Sequence, residues 1–597
     1  MADDSFVQVG FEKPVYWDAR YLRNVEKLSK PIYAVKAEKD THVPMRDGTK
    51  LCADVFRPDS EGTFPVLVAA SGYSKDIQSL DIPPQPMESL VFDHTIEAGH
   101  VDFFVRRGYA YVIADVRGTG KSEGEWHGPY SKSEQVDYYD LIEWAATQPW
   151  SNGKAGMIGI SWYGVVQFLA AEQQPPHLKA VFPFEAFIDH YRWAYNGGII
   201  ATHYWDLENK MVANNPKLDS ERLYGKQRVK EMTDSRLEDP DIKFNPYFVR
   251  ILSSPGITHT AYKDMLINPN DGPFWRERSP CDGFDKIRVP VYHAGLWGAY
   301  TMARGVFEAF NDPSLSVPKK AGMFLTHGLY GGPEGSQLSL PFHLFSPEIL
   351  RWYDHWLKGI DTGIMEEPPI KILVVGKNRF RYEREWPLSR TKWVKFYLRR
   401  FGRLAATPEE SDVPPDPLVH RPPTISNEIQ TLRYVSPPFN EPMEITGPVA
   451  LHFHASLDQD DGNFIFKMYD VQPNKERVFL EKGLLKASQR ELDEKRSKPW
   501  LPRHTYANPK PVSPGEVYEY AVSMNNISCV FKEGHQLLLE MTTADPLVPQ
   551  VTHHKMTLHS HTIGYRLTYY KIFRDAAHQS HLLLPFIRDS PEDLWIR

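Results

Sequence analysis

A serine flanked by small residues is the strongest chemical feature of the sequence. Residues 156–164 read Gly-Met-Ile-Gly-Ile-Ser-Trp-Tyr-Gly, and an apolar run follows at 165–170. An apolar strand that ends in Gly-x-Ser-x-x-Gly and continues as a helix would hold Ser161 on a sharp turn, with its hydroxyl exposed. Glycine is needed in such a turn wherever a side chain would collide with the neighbouring strand and helix. The pattern therefore predicts a nucleophilic serine, and an ordinary Gly-rich turn is the alternative.

A base must accompany the serine, because a serine hydroxyl is a poor nucleophile until its proton is removed. His327 follows the apolar run Phe324-Leu325-Thr326. This is the loop after a late sheet strand, where the base stands in the α/β-hydrolase order. The alternative is a structural histidine, since the chain contains 23 histidines. The position favours a base.

The elements that must position these residues alternate between strand and helix. Residues 111–116 predict a short strand that ends in a Gly-rich, charged loop at 117–124, and residues 136–147 carry apolar side chains at helical spacing. Strand, loop, helix, strand, serine and helix in this order are typical of a parallel α/β sheet. The Asp47-Gly48 pair between alternating apolar residues predicts a hairpin before them.

Two changes of pattern indicate further units. Aromatic and charged residues at about 186–285 interrupt the sheet pattern, which is typical of a lid over an active site. Beyond about residue 371 the helical pattern almost disappears, and β-rich runs separated by turn residues predict a β-sandwich or jelly roll. The predicted units are 1–185 for the first part of an α/β core, 186–288 for a helical cap, 289–370 for the second part of the core and 371–597 for the jelly-roll domain.

Composition and charge narrow the class of ligand. The chain has 597 residues, a net charge of -7 and no long Lys/Arg run, which favours a small-molecule substrate over nucleic acid or a membrane. Cys52, Cys281 and Cys529 lack metal-ligand spacing, and the histidines between 553 and 581 offer no convincing third ligand. Gly118-Thr119-Gly120 lacks the third glycine of a dinucleotide site, so we expect neither a metal nor a cofactor. Because no apolar leader or long apolar run is present, we expect a cytoplasmic protein.

Nearly the whole chain resembles the X-prolyl dipeptidyl peptidase-like serine hydrolases, the family that includes cocaine esterase, α-amino acid ester hydrolases and glutaryl acylases. The matching segments are residues 43–48, 115–120, 156–164, 183–185 with 189 and 191–192, 274–280, 445–448, 485–488, 513–516, 531–535 and 580–585. The resemblance implies an α/β-hydrolase core with a helical cap and a C-terminal jelly roll. It also implies a Ser-His-Asp triad that cuts esters or amides through an acyl-enzyme.

Carried over residue by residue, the resemblance makes Ser161 the nucleophile and His327 the base. Tyr73 matches the family tyrosine whose hydroxyl helps to bind the oxyanion, and the backbone N–H of Trp162 would be the second donor. Two donors aimed at the developing charge contribute about 3 kcal/mol each. Members of the family often associate, so we include a homo-oligomer among the expectations.

The sequence departs from the family at the acid of the triad. The acid should follow the strand at 291–295 and an aromatic residue, but Gly298 and Ala299 stand there. Neither can hold an imidazole, and removal of the acid costs about 10⁴ in rate. Another carboxylate would have to substitute, and the candidates are Glu185 first, then Asp189 and Glu334.

Three functions are compatible with these residues. The first is a serine acyl hydrolase that cleaves an ester or amide of a small organic substrate through an acyl-enzyme on Ser161. The second is a hydrolase-fold enzyme of a biosynthetic pathway that performs cyclisation, lyase or acyl-transfer chemistry with a remodelled triad. The third is a catalytically silent ligand-binding protein.

Overall fold

The computed structural model of the protein describes residues 24–80, 97–201, 211, 213–254, 259–297, 300–326, 339–426, 428–544, 564–590 and 593–596. Two large β-sheets organise these residues, and each sheet covers its own hydrophobic core. A group of helices is inserted into the first sheet between two of its strands.

The first sheet is a mixed sheet with a parallel centre. In spatial order its strands are β1 (Val35–Pro44), β2 (Lys50–Pro58), β4 (Ala110–Asp115), β3 (Phe64–Ser71), β5 (Ser151–Met157), β6 (Leu178–Val181), β9 (Val291–Trp297), β10 (Lys319–Thr326), β11 (Ile370–Val374), β12 (Arg379–Glu383) and β24 (Leu594–Trp595). The run from β4 to β11 is parallel, and the strands on both sides of that run are antiparallel. Pro44 pairs with Lys50, which confirms the hairpin predicted at Asp47-Gly48.

Helices cover the faces of this sheet. They are α1 (Lys75–Gln78), α2 (Val101–Val105), α3 (Lys132–Ala146), α4 (Trp162–Glu172), α12 (Tyr300–Asn311) and α13 (Ser339–Lys358). Strand β3 is buried at every residue, as expected for a parallel strand with both faces covered. Helix α4 is buried from Trp162 to Ala171, because it packs inside the molecule rather than on its surface.

The inserted cap lies between β6 and β9. It consists of α5 (His190–Ala194), the hairpin β7 (Tyr195–Asn196) and β8 (Ile199–Ile200), and the helices α6 (Asp219–Tyr224), α7 (Lys226–Leu237), α8 (Pro240–Lys243), α9 (Pro246–Ser253), α10 (Thr260–Ile267) and α11 (Pro273–Arg276). Short 3-10 turns occur at Val25–Lys27, Pro280–Asp282, Phe284–Lys286, Arg400–Gly402 and Ala487–Gln489. None of the helices in the described ranges combines the length and apolar character that a membrane crossing requires.

The second sheet forms the C-terminal β domain. Its strands in spatial order are β15 (Asp416–His420), β22 (Thr568–Phe573), β17 (Met443–Leu457), β23 (His581–Ile587), β13 (Lys392–Arg399), β14 (Arg403–Ala405), β16 (Leu432–Val435), β21 (Gln536–Thr542), β18 (Asn463–Val471) and β19 (Arg477–Lys486), and β20 (Tyr518–Phe531) pairs with β17. Phe453, Phe464 and Tyr520 pack against one another in its core. The predicted α/β core, helical cap and jelly-roll domain are confirmed as the fold class. Strand β11, which spans residue 371, and strand β12 belong to the first sheet, although the sequence predicts that the jelly roll begins at residue 371.

Candidate active site

Ser161 lies on the sharp turn between β5 and α4. Its backbone has φ 60° and ψ −116°, and it is the residue immediately before α4. The Ser161 N–H donates to the carbonyl oxygen of Phe184 at 2.9 Å, and its own carbonyl accepts from the N–H groups of Gly164 and Val165, both at 2.9 Å. A positive φ in a residue other than glycine is strained, and surrounding contacts must hold it. The turn predicted from the sequence is therefore present at Ser161.

Two glycines explain why this segment can form the turn. At Gly159, where φ is 135°, a Cβ would stand 2.1 Å from the Cβ of Tyr163. At Gly164 a Cβ would stand 2.3 Å from the carbonyl oxygen of Phe184. Both distances are far inside van der Waals contact, so only glycine lets α4 approach the neighbouring strand this closely.

The side chains of Tyr73 and Trp162, the two residues predicted to supply the oxyanion donors, pack against each other beside the turn. Tyr73 follows β3 and is only 3% exposed. Its ring meets the ring of Trp162 edge to face, with 5.4 Å between the centroids. Trp162 is the first residue of α4, so its N–H has no acceptor within the helix. The Trp162 N–H, which lacks a helical acceptor, and the Tyr73 hydroxyl stay the predicted donors to an oxyanion next to Ser161.

The predicted base, His327, falls in the segment 327–338, and the usual position of the acid falls at residues 298–299. Both segments lie outside the described residues. The strands that lead to them are adjacent and parallel, with Trp297 at the end of β9 paired with Thr326 at the end of β10. The carboxyl ends of parallel strands meet at one edge of a sheet. His327 and Gly298 thus follow strands that end at the same edge as β5, which leads to Ser161.

Glu185 lies directly beside the turn. Its N–H donates to the carbonyl oxygen of Ala294 at 2.8 Å, and the preceding Phe184 forms bridges to both Ile160 and Ala294. The side chain is 4% exposed, and within the described residues its Oε1 has no hydrogen-bond partner. Burial raises the pKa of Glu185 from 4.5 to about 8. A carboxyl in this state is largely protonated at neutral pH and holds no cation.

Asp189 is paired with two arginines of the cap. Its Oδ1 accepts from the N–H of Arg192 at 3.0 Å, and its Oδ2 lies 3.1 Å from guanidinium nitrogens of both Arg192 and Arg276. Burial would raise the pKa of Asp189, but the two arginines hold it well below its ordinary value. Asp189 is therefore a cap residue paired with arginine, which argues against it as the substitute acid. Glu334, the other candidate, lies outside the described residues.

His190 is a buried polar residue in this region for which the sequence gives no signal. His190 is fully buried, and in the described part of the chain neither ring nitrogen has a hydrogen-bond partner. Its ring packs against the rings of Tyr130, Phe187, Trp193 and Trp275 at 5.1 to 5.7 Å between centroids. Burial in this aromatic surrounding lowers the pKa of His190 well below its ordinary value, so the imidazole is neutral.

Comparison with known families matches both halves of the chain. Residues 47–328 match the family model of the X-Pro dipeptidyl-peptidase (S15 family). Residues 362–583 match the X-Pro dipeptidyl-peptidase C-terminal non-catalytic domain. Strands β2 to β6, β9 and β10 of the first sheet and the described part of the cap fall within the first match, and Ser161 and Tyr73 lie inside it.

Individual proteins are similar over nearly their full length. Cocaine esterase of Rhodococcus sp. (strain MB1 Bresler) is 26% identical over 602 residues, which cover 92% of this chain and 98% of that protein. A CocE/NonD family hydrolase from Staphylococcus aureus has 22% identity and a TM-score of 0.72, with 95% of this chain and 98% of that chain covered. An aminopeptidase from a marine sediment archaeon, Thaumarchaeota archaeon, has 19% identity and a TM-score of 0.69, with 98% and 99% covered. The two structural similarities concern the fold.

Proposed function

We propose that the chain, which matches the X-Pro dipeptidyl-peptidase (S15 family) model at 47–328 and the C-terminal domain model at 362–583, is a serine hydrolase that cleaves an ester or amide of a small organic substrate. The observation that carries the proposal is the strained turn that presents Ser161, with Tyr73 and the Trp162 N–H beside it. The family match and the similarity to cocaine esterase support hydrolysis as the reaction class.

The proposed reaction proceeds through an acyl-enzyme. The Oγ of Ser161 attacks the substrate carbonyl carbon while His327 takes the hydroxyl proton. The carbonyl oxygen becomes an oxyanion that accepts hydrogen bonds from the Tyr73 hydroxyl and the Trp162 N–H. His327 then donates its proton to the leaving group as the bond to that group breaks. Water, deprotonated by His327, then attacks the acyl carbon, the bond from that carbon to the Oγ of Ser161 breaks, and the carboxylic acid leaves. His327 returns the proton to Oγ, which restores the Ser161 hydroxyl.

The residues at the acid position favour esters over amides within this proposal. Gly298 and Ala299 carry no group that could stabilise the imidazolium of His327. An amide nitrogen must be protonated before it can leave, whereas an alcohol or phenol leaves with less help from a general acid. We therefore propose an ester, with a leaving group of low pKa, as the preferred substrate.

A fluorophosphonate probe tests the proposal without knowledge of the substrate. We expect rapid labelling at Ser161, read by mass spectrometry of the modified peptide, with complete loss in Ser161→Ala. His327→Ala should slow labelling by about 100-fold or more, since the general base contributes about 10² to 10⁴. Ser151→Ala, a serine at the start of β5, is the matched control and should label at the wild-type rate. A Ser161→Ala protein with full turnover of p-nitrophenyl esters would contradict the proposal.

A second candidate is non-hydrolytic chemistry, such as cyclisation, lyase or acyl-transfer chemistry on a biosynthetic intermediate. The specific observation in its favour is the absence of a carboxylate at 298–299, together with an Asp189 that is already paired with two arginines. For cyclisation or lyase chemistry it predicts that the folded protein resists the probe, because those reactions need no acyl-enzyme, whereas acyl transfer keeps the reactive serine and passes the acyl group to an acceptor other than water. Slow or absent labelling alongside normal folding would select cyclisation or lyase chemistry, and rapid labelling without hydrolysis of simple esters would select acyl transfer.

A further inference from the structure

Three carboxylates converge on the buried ammonium group of Lys75. The Nζ lies 2.6 Å from Asp40 Oδ1, 2.8 Å from Asp54 Oδ1 and 2.8 Å from Asp76 Oδ1. An ammonium group has three N–H donors, and here each donor has its own carboxylate. The side chains of Lys75 and Asp54 are fully buried, while those of Asp40 and Asp76 are about half exposed.

The ammonium group stands where a metal ion could otherwise bind. Oxygens of Asp40, Asp54 and Asp76 lie within 4.8 Å of one another, which is the spacing of a possible cation site. Burial would lower the pKa of Lys75, but its hydrogen bonds to the three carboxylates raise that pKa above the ordinary value. Lys75 is therefore the buried cation at the centre of this cluster, and the half-exposed Lys39 and Lys121 pair with its carboxylates from outside.

The lysine belongs to the same short segment as the oxyanion tyrosine. Tyr73 donates its N–H to the Oγ of Ser71 at 3.0 Å, which anchors the segment to the end of β3. Two residues later the N–H of Lys75 donates to Asp115 Oδ1 at 2.7 Å, at the end of β4. Helix α1, which begins at Lys75, is only four residues long and cannot hold itself in place.

The Lys75 side chain contacts carboxylates on the two strands at the edge of the sheet. Asp54 belongs to β2 and Asp40 to β1, so Lys75 ties the segment after β3 to the hairpin at the sheet edge. The N–H of Asp40 itself donates to Asp54 Oδ1 at 3.1 Å. Lys39 donates to Asp54 Oδ2 at 2.8 Å and completes the neutralisation of that buried carboxylate from outside.

We propose that Lys75 is a positioning residue for the oxyanion site. Its three ion pairs fix the segment at 73–75, and they thereby hold the Tyr73 hydroxyl where negative charge develops on the substrate oxygen. A displacement of about 1 Å at such a donor can cost 10²-fold in rate. The inference rests on the proposed function, because it needs Tyr73 as a donor to the oxyanion.

A double-mutant cycle between Lys75 and Tyr73 tests the inference. The measured quantities are the rate constant of fluorophosphonate labelling and kcat/KM for p-nitrophenyl butyrate. Tyr73→Phe removes one donor and should cost about 10² to 10³. Lys75→Met should cost at least 10-fold in the wild-type background. In the Tyr73→Phe background the further cost of Lys75→Met should be less than about 3-fold, because the residue acts through the tyrosine.

Lys39→Met is the matched control. Lys39 pairs with the same Asp54 carboxylate, yet its side chain is 48% exposed and it lies outside the tyrosine segment. We expect wild-type labelling and turnover in this variant. Should Lys75→Met fail to fold because the buried Asp54 then keeps Lys39 as its cation and loses Lys75, Lys75→Met with Asp54→Asn removes both buried charges and the cycle is run on that pair.

The outcomes separate the inference from the proposed function. Additive losses for Lys75→Met and Tyr73→Phe, or an equal loss in Lys39→Met, overturn the positioning role while leaving the serine hydrolase intact. A Tyr73→Phe protein that labels at the wild-type rate overturns the oxyanion assignment and this inference with it. No labelling of wild-type Ser161 overturns the proposed function itself.

Discussion

Replacement of Glu185 by glutamine should stabilise the protein, and the gain should grow with pH. The carboxyl is 4% exposed, and among the described residues its Oε1 has no hydrogen-bond partner and no cation lowers its pKa. Burial alone raises that pKa from 4.5 to about 8. A charge at this place therefore favours unfolding, because the unfolded chain returns the carboxylate to water.

The size of the effect follows from the two pKa values. Because the folded pKa lies above the unfolded one, the contribution of Glu185 to stability is fully present below about pH 4.5 and is lost as the pH rises towards 8. The loss is about 1 kcal/mol at pH 5, about 3 kcal/mol at pH 7 and about 5 kcal/mol at pH 9. Glutamine is neutral throughout, so Glu185→Gln should lack this loss.

The assay is denaturant unfolding at pH 5, 7 and 9, followed by fluorescence of the 15 tryptophans. At each pH the free energy of unfolding of the variant is compared with that of the wild type. The change in this difference between pH 5 and pH 9 tests the prediction, because any pH-independent cost of the amide group cancels. Glu308→Gln is the control: Glu308 is also buried, and burial would raise its pKa, but Arg192 donates to both of its oxygens and the nearby arginines lower that pKa to about 2. Because its folded pKa lies below the unfolded one, its contribution is present throughout pH 5 to 9, so Glu308→Gln should lower the free energy of unfolding by an amount that hardly changes over this range.

Activity in the same variant decides whether Glu185 is the acid of a triad. A carboxyl that burial keeps protonated at neutral pH carries no charge to stabilise an imidazolium, so labelling of Ser161 should stay within about 3-fold of wild type, far from the roughly 10⁴ that loss of a triad acid costs. A fall of 100-fold or more, together with a stability difference that does not change between pH 5 and 9, would refute this reasoning. It would mean that Glu185 is ionised and paired with His327.

Two further substitutions probe the same region. Gly164→Ala places a Cβ 2.3 Å from the backbone oxygen of Phe184, so it should lower the free energy of unfolding by about 2 kcal/mol and slow labelling, whereas Gly272→Ala, with open space around it, should change neither. His190→Leu removes two buried nitrogens that have no partner in the described chain and should raise the free energy of unfolding by about 1 kcal/mol in denaturant titrations. A loss of stability in His190→Leu would reveal a hydrogen-bond partner.

The order of elements in the core could be predicted because apolar strands and helical spacing are local signals. The ends of the elements could not. Strand β5 begins at Ser151 and includes the polar residues 151–154, which carry no strand pattern. Strand β10 begins at Lys319, and Lys320 is 2% exposed with its Nζ bound to the carbonyl oxygens of Ile364, Glu367 and Pro368. A buried lysine of this kind is satisfied by partners that are distant in sequence.

The candidate site likewise combines features that are local in the sequence with features that only the fold brings together. The turn at Ser161 is visible in the sequence because its two glycines and its serine are neighbours in the chain. Tyr73 could be found only through a family resemblance, since nothing in residues 70–73 separates a donor tyrosine from a core tyrosine. The cluster around Lys75 was missed because Asp40, Asp54 and Asp76 come from two strands and a helix, and only the fold brings them together.

Backbone strain at the site indicates that the backbone and the side chain of Glu185 have separate roles. Ser161 has φ 60° and Glu185 has φ 47°, both unfavourable for residues with a Cβ. The two are joined through one hydrogen bond, from the Ser161 N–H to the carbonyl oxygen of Phe184, the residue before Glu185. Two residues with strained backbones on either side of this hydrogen bond persist only where the surrounding packing imposes their conformation. The backbone of Glu185 therefore helps to hold the serine turn whatever its side chain does, which is why glutamine should preserve the turn while removing the buried charge.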